Sequence, residues 1–323
     1  MGKILDARRR ETSSRIEALR GLLQQAETLA GSKACVYLTG SFGRGEASRY
    51  SDLDLFIAGK NEGNDRMLRP LDEILIKADL IEATRKLGIP DFSGDGEYLQ
   101  HYGVNELVRT LGTPEDDVKN TFTARLLLLL ESRPLLERTV YQDVIEPVIA
   151  AYWRDYKDYK NEFVPAFLAN DILRMWRTFC VNYEARTATD PPRKKAKRKL
   201  KNYKLKHSRL LTCYSALLYL LVVFSKSKTV HPTDALDMVK LTPTERLEWI
   251  QKETGLGKVE QLLDCYERFL EETNASEDDL IDRILAAQKD SGHFKTANQM
   301  GDLLFETLKG LGHDNRFYRL LVV

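Results

Sequence analysis

Residues 40–55 read Gly40-Ser41-Phe42-Gly43-Arg44-Gly45-Glu46-Ala47-Ser48-Arg49-Tyr50-Ser51-Asp52-Leu53-Asp54-Leu55. Just before this stretch, Ala34-Cys35-Val36-Tyr37-Leu38-Thr39 is a short apolar, β-branched run that predicts a strand. Gly40-Ser41 breaks it, and a short helix is expected to follow. Leu53 to Ala58 predicts a second strand with acids at its start. Two aspartates one residue apart on a strand share a face because the side-chain period is two, which sends Leu53 and Leu55 the other way, into a core.

Working outward, Ile16, Leu19, Leu22, Leu23, Ala26 and Leu29 recur at helical spacing between Asp6 and Ala30. Gly31 closes that helix in the role glycine commonly takes past a C-terminus. Downstream, Lys60 to Asp65 is a turn, Leu71 to Leu87 a helix, and Gly88-Ile89-Pro90 its stop. Asp91 to Gly96 reads as an acidic turn and Glu97 to Tyr102 as a third strand. Thr113-Pro114-Glu115-Asp116 predicts a helix start, with Thr113 as cap and Asp116 and Asp117 offsetting the helix dipole. From Val140 onward every periodic segment is helical, and Thr242-Pro243-Thr244-Glu245 marks another helix start. The expected class is α+β: a small mixed-sheet domain over residues 1–138, followed by an all-helical domain over 139–323.

The bulk properties fit this division. The chain has 323 residues, 43% hydrophobic and 30% charged, with a net charge of +1, enough for two cored domains. Cys35, Cys180, Cys213 and Cys265 are scattered without a C-x-x-C pair, which suits reduced thiols and neither a disulfide framework nor a zinc site. The polar segment from Met1 to Glu11 has no apolar stretch behind it, so no signal peptide is expected. Leu210 to Phe224 falls short of a bilayer span and reads as a core helix, so neither a membrane partner nor a location other than the cytoplasm is expected.

Two neighbouring carboxylates repel unless a cation lies between them, and Mg²⁺ (or Mn²⁺) is the hard ion that accepts one or two carboxylates together with substrate phosphates. A glycine after a strand lets backbone approach a phosphate, and a serine hydroxyl with nearby N–H groups can donate to it. Arg44, and Arg49 beside it, can add charge-assisted hydrogen bonds. Asp52 and Asp54 are therefore candidate catalytic metal ligands, and Gly40, Ser41 and Arg44 candidate nucleotide-binding residues.

The segment resembles the signature of the DNA polymerase β-like nucleotidyltransferase superfamily: Gly-Ser, a spacer of roughly ten residues, then acid–hydrophobic–acid–hydrophobic. In its fuller form it is similar to the minimal nucleotidyltransferases and to the catalytic domain of the uridylyltransferase acting on the PII nitrogen-signalling protein. The resemblance implies transfer of a nucleoside monophosphate from an NTP to a hydroxyl, with release of pyrophosphate. It also implies a third carboxylate on a later strand, with Asp91, Asp95 and Glu97 as candidates and Glu97 preferred as ligand and catalytic residue. The acceptor stays open between an RNA 3′ end, a protein side chain and a second nucleotide. The alternative is a catalytically silent nucleotide-binding regulatory or antitoxin-like module.

In the second half, ten Lys or Arg fall within the seventeen residues Arg193 to Arg209. A run of this kind is either a solvated loop or a phosphate-binding surface. Lys204 and Lys206, beside the apolar segment, are the better-fixed members and candidate nucleotide-binding residues. Ile172, Met175, Trp176 and Phe179 form a core stripe at helical spacing, with Arg174 and Arg177 on another side.

Overall fold

The computed structural model describes residues 2–92, 99–184, 191–286, 292–313 and 315–322. The chain is α+β and divides into two compact units, Leu5–Arg154 and Asp155–Val323 with Met1–Ile4.

In the first unit, α1 (Lys3–Leu22) and α2 (Gln24–Ala30) replace the single helix expected there; the regular pattern breaks at Leu23. They lead into β1 (Ala34–Thr39), the four-residue helix α3 (Gly40–Gly43) and β2 (Asp54–Gly59). β3 (Asn61–Glu62) and β4 (Asp65–Arg66) form a separate hairpin, and α4 (Pro70–Lys86) follows with proline in its first turn. The predicted strand over 97–102 is present as β5 (His101–Gly103); its first two residues lie outside the described ones. Then come α5 (Val104–Arg109), α6 (Glu115–Val118), α7 (Thr121–Glu131), β6 (Arg133–Leu136) and α8 (Arg138–Tyr152).

The sheet runs β5-β2-β1-β6. β1 pairs antiparallel with both β2 and β6, while β2 pairs parallel with β5. β6 has no counterpart among the sequence expectations, because Arg133-Pro134-Leu135-Leu136 is too short and too proline-broken to show a period. Both sheet faces are covered. Val36, Leu38, Leu55 and Ile57 pack with Ile16 and Leu19 of α1 and with Ile76 and Leu80 of α4. On the opposite face Tyr37 stacks on Phe56 at 5.5 Å and meets Tyr141 of α8 at 6.2 Å. α8 thus belongs to this unit, and the division at Arg154 falls after the 138/139 boundary read from the sequence.

Of two local expectations, one is overturned and one extended. Thr113 does not cap a helix: its hydroxyl donates to the Thr110 carbonyl, and α6 begins after Pro114. Asp116 stands in the first turn of α6 as expected, but it does more than face the helix dipole. It is fully buried and paired with Arg125 of α7, itself fully buried.

The second unit is helical throughout its described residues. A 3₁₀ turn at Tyr156–Asp158 precedes α9 (Ala166–Glu184) and α10 (Pro192–Lys204); a π-helical turn over Leu205–Arg209 then joins α10 to α11 (Leu210–Ser227). The basic run is therefore helix and not loop. Beyond it lie α12 (Pro232–Lys240), α13 (Pro243–Thr254), α14 (Gly257–Glu272), α15 (Glu277–Ala286), α16 (Gly292–Gly312) and α17 (Arg316–Val322). Thr242 caps α13 as expected: it accepts from the Glu245 N–H, and Glu245 accepts from the Thr242 N–H at 2.7 Å. The continuous helix Pro192–Ser227 is long and apolar enough to cross a membrane, but 78% of its most apolar window is buried in the fold, as for a core helix.

Candidate functional site

The antiparallel register of β1 and β2 sets Thr39 opposite Asp54, so the end of one strand and the start of the other meet where the Gly-Ser turn begins. Leu53 and Leu55 are 1% and 3% exposed and anchor the acidic stretch in the core, as predicted. Asp54 is half-buried, and Asp52, just ahead of the strand, is exposed. Gly40 has φ of +61°, and a Cβ added there would lie 2.4 Å from Asp54 Oδ2. Only glycine meets both conditions, the left-handed backbone and the lack of room. The carboxylate is thereby held against the backbone of the turn that carries Ser41, whose side chain is part-exposed.

Beneath the turn lies a buried charge cluster. Glu131, at the end of α7 and 1% exposed, accepts from the Gly40 N–H at 3.1 Å through Oε1. Its Oε2 accepts from Arg44 Nη1 at 3.0 Å, and Arg44 Nε donates to Glu46 Oε2 at 2.8 Å. Arg44 is 7% exposed, so its guanidinium holds the loop together from inside. The guanidinium read from the sequence as a nucleotide ligand is paired here with Glu46 and Glu131. Gly43 allows this packing, since a Cβ there would sit 2.0 Å from the Glu131 carbonyl oxygen.

α1 fastens the far side of the loop. Thr12 Oγ1, fully buried, accepts from the Ala47 N–H at 2.9 Å. Arg15 donates to the Ser48 carbonyl and lies 4.8 Å over the Phe42 ring. The Ser48 N–H is taken by Ser51 Oγ at 3.0 Å. Phe42, Arg44, Ala47 and Ser48 of the spacer are thus held by α1 and α7, while Ser41, Asp52 and part of Asp54 keep access to solvent.

Residues 19–111 match the family model of the nucleotidyltransferase domain. The chain carries a nucleotidyltransferase domain. No curated protein matches the chain. Nucleotidyl transfer is the chemistry to which this domain points.

The remaining assignments fall in different places. Within the nucleotidyltransferase domain, Arg49 is exposed and lies over the Tyr50 ring at 4.6 Å. Asp91 is exposed and faces Arg85 at 3.4 Å. Asp95 and Glu97 lie outside the described residues. Lys204 and Lys206 belong to the helical unit, the first exposed at the end of α10 and the second half-buried in the π-helical turn. Glu131, Glu46, Thr12 and Arg15 were not singled out from the sequence. For Glu131 a signal existed: it is the one acid closing the five-leucine run Leu126–Leu130, where a helix otherwise buries everything.

Asp54 offers a part-exposed carboxylate beside the Gly40 turn and Asp52 an exposed one two residues earlier, and such hard oxygens suit Mg²⁺ or Mn²⁺. Among the described residues no group of three or more His, Cys, Asp or Glu side chains gathers as a metal cluster.

Proposed function

We propose that the protein transfers a nucleoside monophosphate from an NTP to a hydroxyl acceptor, with Asp52 and Asp54 as the metal-binding carboxylates. The observation that supports this most directly is the 2.4 Å approach between Asp54 Oδ2 and the Cβ position of Gly40. It puts the Asp54 carboxylate directly against the Gly40-Ser41 turn, so a triphosphate on the turn would have its α-phosphorus beside that acid. Gly40 and Ser41 orient the phosphates through backbone N–H groups and a hydroxyl.

The acceptor oxygen bonds to the α-phosphorus as the link from that phosphorus to the β-phosphate oxygen breaks. Pyrophosphate departs with the bonding pair. The acceptor's proton passes to a carboxylate, the role given to Glu97 on the sequence. Divalent ions held by Asp52 and Asp54 would lower the acceptor's pKa and neutralise charge on the leaving group. The protein's share is positioning and a fixed electrostatic frame, which in phosphoryl transfer is most of the catalysis.

The test supplies each labelled NTP with Mg²⁺, alone, with RNA and with cell lysate, to the protein and to an Asp52→Asn/Asp54→Asn variant. Label moved by the parent and reduced about 10²–10³-fold or more in the variant supports the proposal. NTP binding without turnover under every condition would replace it with the silent regulatory module, and undiminished turnover in the variant would remove the assigned residues.

A further inference from the structure

The basic run of the helical unit is not uniform. α10 spends one side on α15: Arg193 reaches Asp278 at 2.6 Å and Asp282 at 2.8 Å, and Lys197 reaches Glu277 at 2.5 Å. Alongside these pairs Ala196 and Leu200 pack with Leu280 and Ile281. At about 100° of turn per residue, Lys195 falls on the side opposite that contact and Lys206 comes back to nearly the same side, while Lys201 lies at the margin of the contact, next to Lys197; Lys195 and Lys201 are exposed. Because α10, the π-helical turn and α11 are one continuous helix, the charge carries on to Lys206 and Arg209, both half-buried in the turn. The rise from Lys195 to Lys206 is ~16 Å.

Rings gather where this turn meets the end of α9. Trp176 stands edge-on to Tyr214 with centroids 6.4 Å apart, and the Arg209 guanidinium lies 5.6 Å over Phe179. Arg177, on α9 beside Trp176, is exposed. All three rings keep partial exposure, although burying them fully would contribute more hydrophobic energy. Partly exposed rings among cations, at the end of a basic helix, match what an unpaired strand presents: regularly spaced phosphates and free base faces. A duplex presents the phosphates but keeps its base faces covered. π-Helical turns are themselves frequent at binding sites.

We propose that the basic helix carrying Lys195, Lys201 and Lys206 is a phosphate-binding surface, and Trp176 and Tyr214 a base-stacking site, for a single-stranded polynucleotide that serves as the acceptor. Only the word acceptor rests on the transfer reading; the binding needs neither NTP nor metal.

The experiment is fluorescence anisotropy of the full-length protein with labelled single strands of about 16 nucleotides, as RNA and as DNA, beside the same sequence as a duplex and beside heparin. Expected is binding of at least one single strand more tightly than duplex, with the two arms assigning the sugar. Trp176→Ala weakens it about tenfold, and Trp176→Phe retains most of the affinity. Lys195→Gln/Lys201→Gln/Lys206→Gln reduces the slope of log affinity against log salt by about 2, at ~0.7 per phosphate contact. The lysine variant touches no core residue, so its slope stands even if Trp176→Ala melts early. Duplex or heparin bound as tightly as single strands, with Trp176→Ala neutral, would leave only a nonspecific polyanion surface and overturn the proposal. So would the absence of binding at about 50 mM salt. Asp52→Asn/Asp54→Asn is expected to bind the strand unchanged; loss of transfer with binding intact overturns the transfer reading alone.

Discussion

At the scale of single residues, Gly40 carries the most consequence. Its φ of +61° and the 2.4 Å gap to Asp54 Oδ2 make two separate demands that no other residue meets. Gly40→Ala is expected to destabilise the first unit by about 1–2 kcal/mol from the backbone alone. It should also push Asp54 aside and lower turnover by more than the lost stability explains. Thermal melting and initial rates on one preparation check this; a variant with parental turnover would show that Asp54 need not sit against the turn. Arg44 shows the reverse lesson. In the string Gly-Arg-Gly-Glu it reads as a phosphate ligand, and in the fold it also bridges Glu46 and Glu131. An arginine's type announces charge, while burial decides whether that charge faces a ligand or a neighbouring acid.

Among elements, the four helices α5 to α8 are tied by one buried arginine. Arg125 Nη1 donates to Asp116 Oδ1 at 2.9 Å and to the Leu107 carbonyl at 2.9 Å, Nη2 donates to Asp116 Oδ2 at 2.5 Å, and Nε to the Tyr152 hydroxyl at 3.0 Å. Thr121 adds its hydroxyl to the same aspartate at 2.7 Å. Neither charge touches solvent, so removing one leaves the other stranded: Asp116→Ala is expected to cost about 3–5 kcal/mol. The double replacement Asp116→Ala/Arg125→Met should cost less than Asp116→Ala alone, because no unpaired ion then stays buried. Urea denaturation midpoints of the two variants test this, and a double variant weaker than the single one would mean the pair contributes net stability.

For the whole molecule, the response to acid is set in part by His207. Its ring is fully buried, stacked on Phe269 at 4.5 Å, with Nδ1 donating to the Tyr203 carbonyl at 2.9 Å. Burial lowers its pKa from 6.5 to about 4. The unfolded chain therefore binds a proton that the fold refuses between those values, and folding stability rises with pH through that window. The contribution is complete above about pH 6.5 and falls away as pH drops toward 4, by about 3 kcal/mol in all. His207→Gln should flatten that stretch of the stability curve, measured by urea unfolding at several pH values. An unchanged slope would mean that the ring is protonated as easily inside the fold as outside.

Much of the fold and of the candidate site follows from the chain's own pattern. Strand, Gly-Ser, spacer and paired acids are local, and a period of two or of 3.6 residues needs no distant partner to be read. Hence β1, β2, the burial of Leu53 and Leu55, and the Thr242 cap can be read from the residues alone, as can the α+β class. Glu131, Arg44 and Asp116 could not be placed that way. Each is defined by a neighbour 87 or more positions away or by a burial that sequence does not display, as in the 87-residue separation between Arg44 and Glu131. α8 carries the periodicity of a bundle helix but covers a sheet, because an apolar stripe is the same whatever lies under it. What the sequence by itself determined is the chemistry on offer, two acids beside a glycine turn and a charged helix. Only the tertiary structure decided which charges are spent on one another inside the fold and which remain for a ligand, since burial and pairing are properties of the packed chain.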